Sequence, residues 1–376
     1  MQSNMIFMLK EDREEVLGLL FVNGFKTEEG GGDIDLNSIK YILSKISGIN
    51  ISEVSTIAKK EFNFLSLFEA TMHGLLSDIS KQGKIDLIVS ESPFPPQFLY
   101  TLRYSIKFKI PAVIFMHHHI HFTFHPLHRG ILRSLLYCMY DNIILAISKI
   151  NGFVVSIDVP SEIEKWKIGT LKNELAIPWS MSSNDSDLDI KKDYDLCYVG
   201  RFQKHKGSKD LVKCMYILKR KGHNLRIAII GKIEKKQKHK IDKKLKKLNL
   251  VENFHFLGWL SENMKLRTMK ESNLYISLSY EEGWGLSVME AAALGLPIIA
   301  YDIPAYKYLE GNLFSAKPGN IEEVCNLIIW SLENDITKDV RVMNAREIVK
   351  KYNFQKIALQ HLDFYIDLLK KMNHHQ

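Results

Sequence analysis

The sequence predicts an α/β protein built from two doubly wound parallel-sheet domains in tandem, and three observations carry that prediction. Short apolar runs alternate with amphipathic segments along the chain, the order expected when helices cover both faces of a buried sheet. A polar stretch with the composition of a linker, "MSSNDSDLDIKKD" at 181–193, separates those runs into two groups. The length of 376 residues suits two domains at roughly 100–200 residues each.

In chain order, the first group of strand candidates is "EVLGLLFV" (15–22), "KIDLIVS" (84–90), "PAVIFM" (111–116) and "GFVVSI" (152–157). The second group is "DLCYVG" (195–200), "LRIAIIG" (225–231), "NLYISLS" (273–279) and "LPIIAYD" (296–302). The expected boundaries are 1–185 for the first domain and 190–352 for the second, followed by an amphipathic helix over 354–372. Ligands of such sheets collect beyond the carboxyl ends of the strands, and two facing domains of this kind would enclose a central cleft. The residues that follow each apolar run are therefore the candidates for chemistry.

Composition narrows the function classes. With 46% hydrophobic and 25% charged residues the chain has an ordinary globular balance, which excludes a disordered protein. Cys138, Cys197, Cys214 and Cys325 show no CxxC spacing, so neither a zinc knuckle nor a disulfide framework is expected, and a reducing, intracellular setting is. The first 15 residues lack the apolar run of a signal peptide. The apolar stretch "ILRSLLYCMYDNIILAI" is interrupted by Arg133, Asp141 and Asn142, which argues against a membrane span and leaves either a core helix or one that meets a lipid surface. The net charge of +8 points to anionic partners. Much of it lies in "KIEKKQKHKIDKKLKKLNL", where Ile233, Ile241, Leu245 and Leu248 form one stripe of a solvated amphipathic helix. That run has no interleaved aromatics, so no nucleic-acid partner is expected.

Four loops carry candidate site residues. Gly30, Gly31 and Gly32 precede a helical pattern, where bare amides can face a phosphate or sugar hydroxyl or simply make a turn. Asp33 and Asp35 beside them read as first-turn carboxylates of that helix. Beyond "PAVIFM" comes a histidine-rich stretch whose spacing matches no metal site, so no metal is expected; His117 is the one placed at the end of the strand. Arg201 and Lys206 follow "DLCYVG" and bracket a loop ending at Gly207, an arrangement that could neutralise a diphosphate. Finally, "EEGWGLSVMEAAALGLP" at 281–297 places Glu282 before a helix and Glu290 inside it. Eight helical steps would span about 12 Å, a reach suited to two ends of one nucleotide sugar. Val288, Met289, Ala291, Ala292, Ala293 and Leu294 make that helix apolar nearly all round, so the Glu290 carboxylate needs a buried partner or a ligand.

At these residues the chain resembles the retaining nucleotide-sugar glycosyltransferases of the GT-B architecture, family four, also described as glycosyl transferases group 1. "VGRFQKHKGSKDLV" is similar to the family's phosphate loop, and "EEGWGLSVMEAAALGLPIIA" to its paired-glutamate segment. The resemblance implies that Arg201 and Lys206 grip the donor diphosphate, that Glu282 contacts the donor sugar and that Glu290 holds the ribose. It further implies donor contacts at Gly231, Trp259, Leu260, Gly283, Gly285, Leu286 and Ser287. In the first domain it extends to Gly31 and Gly32 near the diphosphate and to His117 after a central strand. It also implies that the C-terminal helix packs back on the first domain. The chain departs from the family at "IPWSMSSND" from Ile177, at the end of the first domain, and at "YDIPAYKYL", where a glycine pair is absent.

The expected activity is therefore metal-independent and cofactor-free transfer of a hexose, with retention, from a UDP- or GDP-sugar to a glycan or polyprenyl-linked acceptor. The expected location is the cytoplasm, at the inner face of the cell membrane where the acceptor is lipid-linked. The alternative is a non-catalytic nucleotide-sugar-binding or regulatory subunit of the same architecture.

Overall fold

The computed structural model describes residues 16–25, 40–57, 84–91, 95–116, 131–151, 154–157, 191–282, 284–334, 336–350, 352 and 354–373. These fall into two compact units, one holding 16–157 together with 354–373 and the other holding 191–352. The linker stretch at 181–190 lies outside the described residues.

The first unit runs β1 (Leu17–Phe25), β2 (Ile49–Ile57), β3 (Leu87–Ser90), α1 (Pro95–Phe108), β4 (Ala112–Met116), α2 (Ile131–Ile150) and β5 (Val154–Ile157). The strands pair in parallel in the order β2-β1-β3-β4-β5. Both faces of the sheet are buried. Leu19, Phe21, Val89 and Phe115 face one core, while Leu20, Val22, Ile88 and Ile114 face the other, the period-two alternation of a strand covered on both sides. Two prolines open α1, where the first-turn amides have no helical acceptor to lose.

The second unit runs β6 (Tyr194–Val199), α3 (Ser208–Arg220), β7 (Ile227–Ile230), α4 (Lys235–Lys247), β8 (Phe254–Gly258), α5 (Glu262–Lys270), β9 (Ser272–Ser277), α6 (Leu286–Ala293), β10 (Ile298–Tyr301), β11 (Phe314–Ala316), α7 (Ile321–Glu333) and α8 (Val340–Val349). Its parallel order is β11-β10-β9-β6-β7-β8. The chain builds outward from β6 through β7 to β8, then returns to lay β9 on the other side of β6. The order reverses between β6 and β9, and at such a reversal the two following loops part to leave a crevice. The final helix, α9 (Phe354–Asn373), returns to the first unit. There Ile357, Ala358, Leu362, Tyr365 and Ile366 pack on the β1 and β3 side chains of one sheet face.

Three strands, β2, β8 and β11, are not among the apolar runs that mark strands in the sequence. All three lie at sheet edges. An edge strand keeps one side towards solvent, so "INISEVSTI" and "FSA" carry polar residues where a central strand carries Val or Ile. The lysine-rich segment forms α4 with Leu245 buried and Lys240, Lys243, Lys244, Lys246 and Lys247 exposed. Cys214 on α3 and Cys325 on α7, far apart in sequence, are brought together as buried free thiols with their sulfurs 3.2 Å apart.

Candidate functional site

The loops after β6 and β9 meet at the reversal point. Near the end of β6, Tyr198 donates its hydroxyl to the Arg201 carbonyl at 2.9 Å and packs edge-on against buried Phe202. A short turn over Lys204–Lys206 follows and closes at Gly207, whose amide donates back to the Lys204 carbonyl. The turn is latched to the loop beyond β9. The Tyr280 amide donates to the His205 carbonyl at 2.9 Å, and the Tyr280 and Tyr301 hydroxyls both donate to Asp210 Oδ2 in the first turn of α3.

That latch delivers Lys206 to Glu282. Lys206 Nζ lies 2.5 Å from Glu282 Oε2, and Ser279 Oγ donates to Oε1 at 2.8 Å, so both carboxylate oxygens are held. The two side chains are only 19% and 14% exposed, which makes this a partly desolvated ion pair rather than a surface one. Trp284 anchors the same loop. It is buried, stacks on Tyr308 with ring centroids 5.0 Å apart, and meets Tyr352 edge-on.

Gly285 then opens α6. A Cβ there would stand 2.5 Å from the Tyr306 ring, so the loop needs glycine to pass that close. The Gly285 carbonyl accepts from Val288 and Met289, while the amides of Leu286 and Ser287, in the first helical turn, have no intrahelical acceptor. They carry the positive end of the helix dipole and stand ready for an anion. Ser287 Oγ accepts from the Tyr275 hydroxyl at 2.7 Å, which fixes the turn to β9.

Glu290, one turn further on, is 5% exposed. The partner that its apolar surroundings demand is Lys265 of α5, with Nζ 2.9 Å from Glu290 Oε2 and 2.8 Å from Glu262 Oε2. Burial raises the Glu290 carboxyl to about 7, and Lys265 opposes that shift. Because the unfolded group titrates near 4.5, the native chain binds the proton more tightly. The stability this group contributes is fully present below about 4.5 and is lost as pH rises through about 7. Glu290→Gln is therefore expected to gain stability relative to wild type between pH 5 and pH 8. Urea midpoints at the two values check this, and a difference between the chains that does not change with pH contradicts it.

The remaining candidate residues are placed as follows. Gly231 ends β7 and donates its amide to the Gly258 carbonyl at 2.7 Å, tying the carboxyl ends of β7 and β8 together. Trp259 is 52% exposed beside half-buried Leu260, and the Lys232 ammonium lies 5.7 Å from the Trp259 ring centroid. Arg201 is exposed, and among the described residues its guanidinium forms no ion pair with either acid. Gly31, Gly32, His117 and Gly283 lie outside the described residues, as do Asp33 and Asp35. Among the described residues no three His, Cys, Asp or Glu side chains group as metal ligands would. Lys265, Glu262 and Ser279 went unmarked in the sequence. Their only signal is an acid three residues ahead of a lysine on an amphipathic segment, the pattern of any solvated helix.

Residues 182–350, the stretch that holds both motifs, match the family described as Glycosyl transferases group 1. The chain is 24% identical over 322 residues to a poly(ribitol-phosphate) alpha-N-acetylglucosaminyltransferase of Staphylococcus aureus, covering 82% of this chain. It spans 60% of that relative's own length. Among solved structures it resembles sucrose-phosphate synthase of Thermosynechococcus elongatus with a TM-score of 0.79 at 17% identity, covering 94% of this chain and all of that one. It also resembles HepE of Anabaena, solved with UDP and glucose, with a TM-score of 0.68 at 16% identity, covering 93% of this chain and all of that one. The fold is the GT-B fold of these neighbours, with two parallel-sheet α/β domains.

Proposed function

We propose that this chain is a retaining, metal-independent glycosyltransferase that moves a hexose from a nucleoside diphosphate sugar to a glycan or lipid-linked acceptor. The observation that carries the reading is the Lys206–Glu282 pair on the loops of the strand-order reversal, which stands with the first-turn amides of α6 and with Glu290 buried inside that helix. Rupture of the anomeric bond leaves negative charge on the diphosphate. In this mechanism the Lys206 ammonium and the amides of Leu286 and Ser287 take up that charge as it develops, the work a divalent cation would otherwise do. Lys206 passes from Glu282 towards the phosphate as the donor enters, and exposed Arg201 closes on the outer oxygens. Glu282 then turns its held carboxylate to hydroxyls of the transferred sugar, and Glu290 accepts the ribose hydroxyls. Trp259 and Leu260 flank the base. Departure and attack on the same face of the sugar, as the family resemblance implies, would give retention.

Incubating the full chain with UDP-, GDP- and ADP-sugars and following nucleotide release tests this. Slow hydrolysis of one of them, stimulated by acceptor and unaffected by chelator, is expected. Binding of a nucleotide sugar with no hydrolysis or transfer of any donor would establish the non-catalytic alternative instead.

The acceptor side of the reading rests on charge and on α2. The S. aureus relative is named for a poly(ribitol-phosphate) acceptor, and a chain of net charge +8 suits a phosphate-bearing acceptor of that kind. On α2, Met139, Ile143 and Ile150 are 53%, 52% and 83% exposed and recur at helical spacing, an apolar stripe fit for the interfacial zone of a membrane. No described helix is long and apolar enough to cross one. The chain is expected to co-sediment with anionic liposomes at low salt, and Ile143→Asp with Ile150→Asp to abolish this. Equal recovery of both proteins in the supernatant removes the membrane from the proposal.

A further inference from the structure

Lys265 has no part in the transfer as described, yet it sits where a lysine needs a reason. Its side chain is 14% exposed, and its single ammonium serves two carboxylates, Glu262 on its own helix and Glu290 on α6. Among the described residues the ammonium is the only ion-pair partner of Glu290 Oε2, which is buried, and Glu262 Oε1 is buried with no hydrogen-bond partner. Two acids thus share one cation. The cluster has spare acceptor capacity and one excess negative charge when all three groups are ionised. The cluster is left with acceptors that hydroxyl donors can satisfy.

We propose that Lys265 is a positioning residue for nucleotide recognition, which holds Glu290 in the site as a carboxylate so that it accepts both vicinal hydroxyls of a ribose. This rests on the reading of Glu290 as the ribose-binding acid. A carboxylate offers acceptors on both oxygens, whereas a protonated carboxyl turns one oxygen into a donor and loses the two-hydroxyl match. The groups that face Glu290 are Lys265 and Glu262 from α5 and the Tyr275 phenol from β9, which burial keeps protonated. Of these only Lys265 favours the charged form of Glu290, while Glu262 disfavours it. In turn burial pulls the Lys265 ammonium down, but Glu290 and Glu262 together hold it above its ordinary value. Lys265→Met keeps the length of the side chain and removes the charge.

Calorimetric titration of the full chain with UDP, GDP and ADP, and with the 2′-deoxy counterpart of whichever binds, between pH 6 and pH 9, tests the proposal. Wild type is expected to prefer the ribonucleotide by about tenfold or more, with the preference rising as pH passes through about 7. Lys265→Met is expected to lose most of that preference at pH 7.5 and to recover part of it at pH 9, whereas Lys265→Arg retains it. A Lys265→Met protein with the wild-type preference and pH profile overturns the proposal. Should Lys265→Met fail to fold, Glu262→Gln answers the same question, because it frees the ammonium for Glu290 and is expected to move the rise to lower pH; an unmoved profile there also overturns it. If wild type binds none of the nucleotides, or shows no preference for the ribonucleotide over its 2′-deoxy form, the ribose reading of Glu290 is what fails, and the role of Lys265 falls with it.

Discussion

Replacing Lys206 with alanine is expected to lower donor turnover by about a hundredfold or more, with a smaller change in the KM for donor, because the ammonium acts mainly on charge that appears in the transition state. The expectation rests on where Nζ lies, 2.5 Å from Glu282 with both side chains largely screened from water, so that a phosphate taking the place of the carboxylate would meet a cation less screened by solvent than that of exposed Arg201. Glu282→Ala is expected to be similarly severe, since it removes the carboxylate proposed to contact the sugar and takes away the partner that positions Lys206. Truncating either partner also leaves the other charge partly buried and alone, which lowers stability. The catalytic effect is therefore read from kcat per folded molecule, with melting temperatures measured alongside and Lys206→Arg as a charge-conserving control. Near-normal turnover in both alanine variants discards the site. Loss of turnover that tracks only loss of folded protein assigns the pair to stability instead.

How much of this was legible in the chain depends on what each residue does. The central strands announce themselves because they are buried on both faces, and the two glutamates because a carboxylate inside an alanine-rich helix has to be accounted for. The edge strands β2 and β11 do not, since their polar residues bring their composition close to that of a loop, and β8 is only five residues, FHFLG, interrupted by a histidine. Lys206 and Glu282 are 76 residues apart, and their pairing follows only once β6 and β9 lie side by side. The latch through Asp210, Tyr280 and Tyr301 and the sharing of Lys265 are likewise products of topology. No local pattern separates an aspartate that latches two loops together from one that caps a helix. The thiol pair Cys214 and Cys325 makes the same point, since their contact depends on α3 and α7 packing together across 111 residues of chain.

Gly207→Ala is expected to disable the second unit more thoroughly than loss of a methyl-sized gap would suggest. Gly207 has a φ of 74°, and a Cβ built there would lie 2.0 Å from the Leu278 carbonyl oxygen and 2.5 Å from the Leu278 Cβ. The left-handed backbone costs a non-glycine residue about 1–3 kcal/mol. Overpacking against a neighbour adds about 1–3 kcal/mol more. The obstacle here is the backbone just beyond β9, which cannot swing aside as a side-chain tip can. Either the loop lifts and carries Lys206 away from Glu282, or β9 shifts and disturbs the sheet at its centre. Gly222→Ala separates the two contributions. Gly222 also has a positive φ, 95°, but nothing lies within 4 Å of a Cβ there, so that variant bears the backbone cost alone. Urea unfolding followed by tryptophan fluorescence, together with donor hydrolysis, is expected to show Gly222→Ala mildly destabilised and active. Gly207→Ala should be markedly less stable and, where folded, inactive. Equal behaviour of the two variants would mean that the loop can move off Leu278 at little cost, and that the close crossing of the β6 and β9 loops is not what places Lys206 against Glu282.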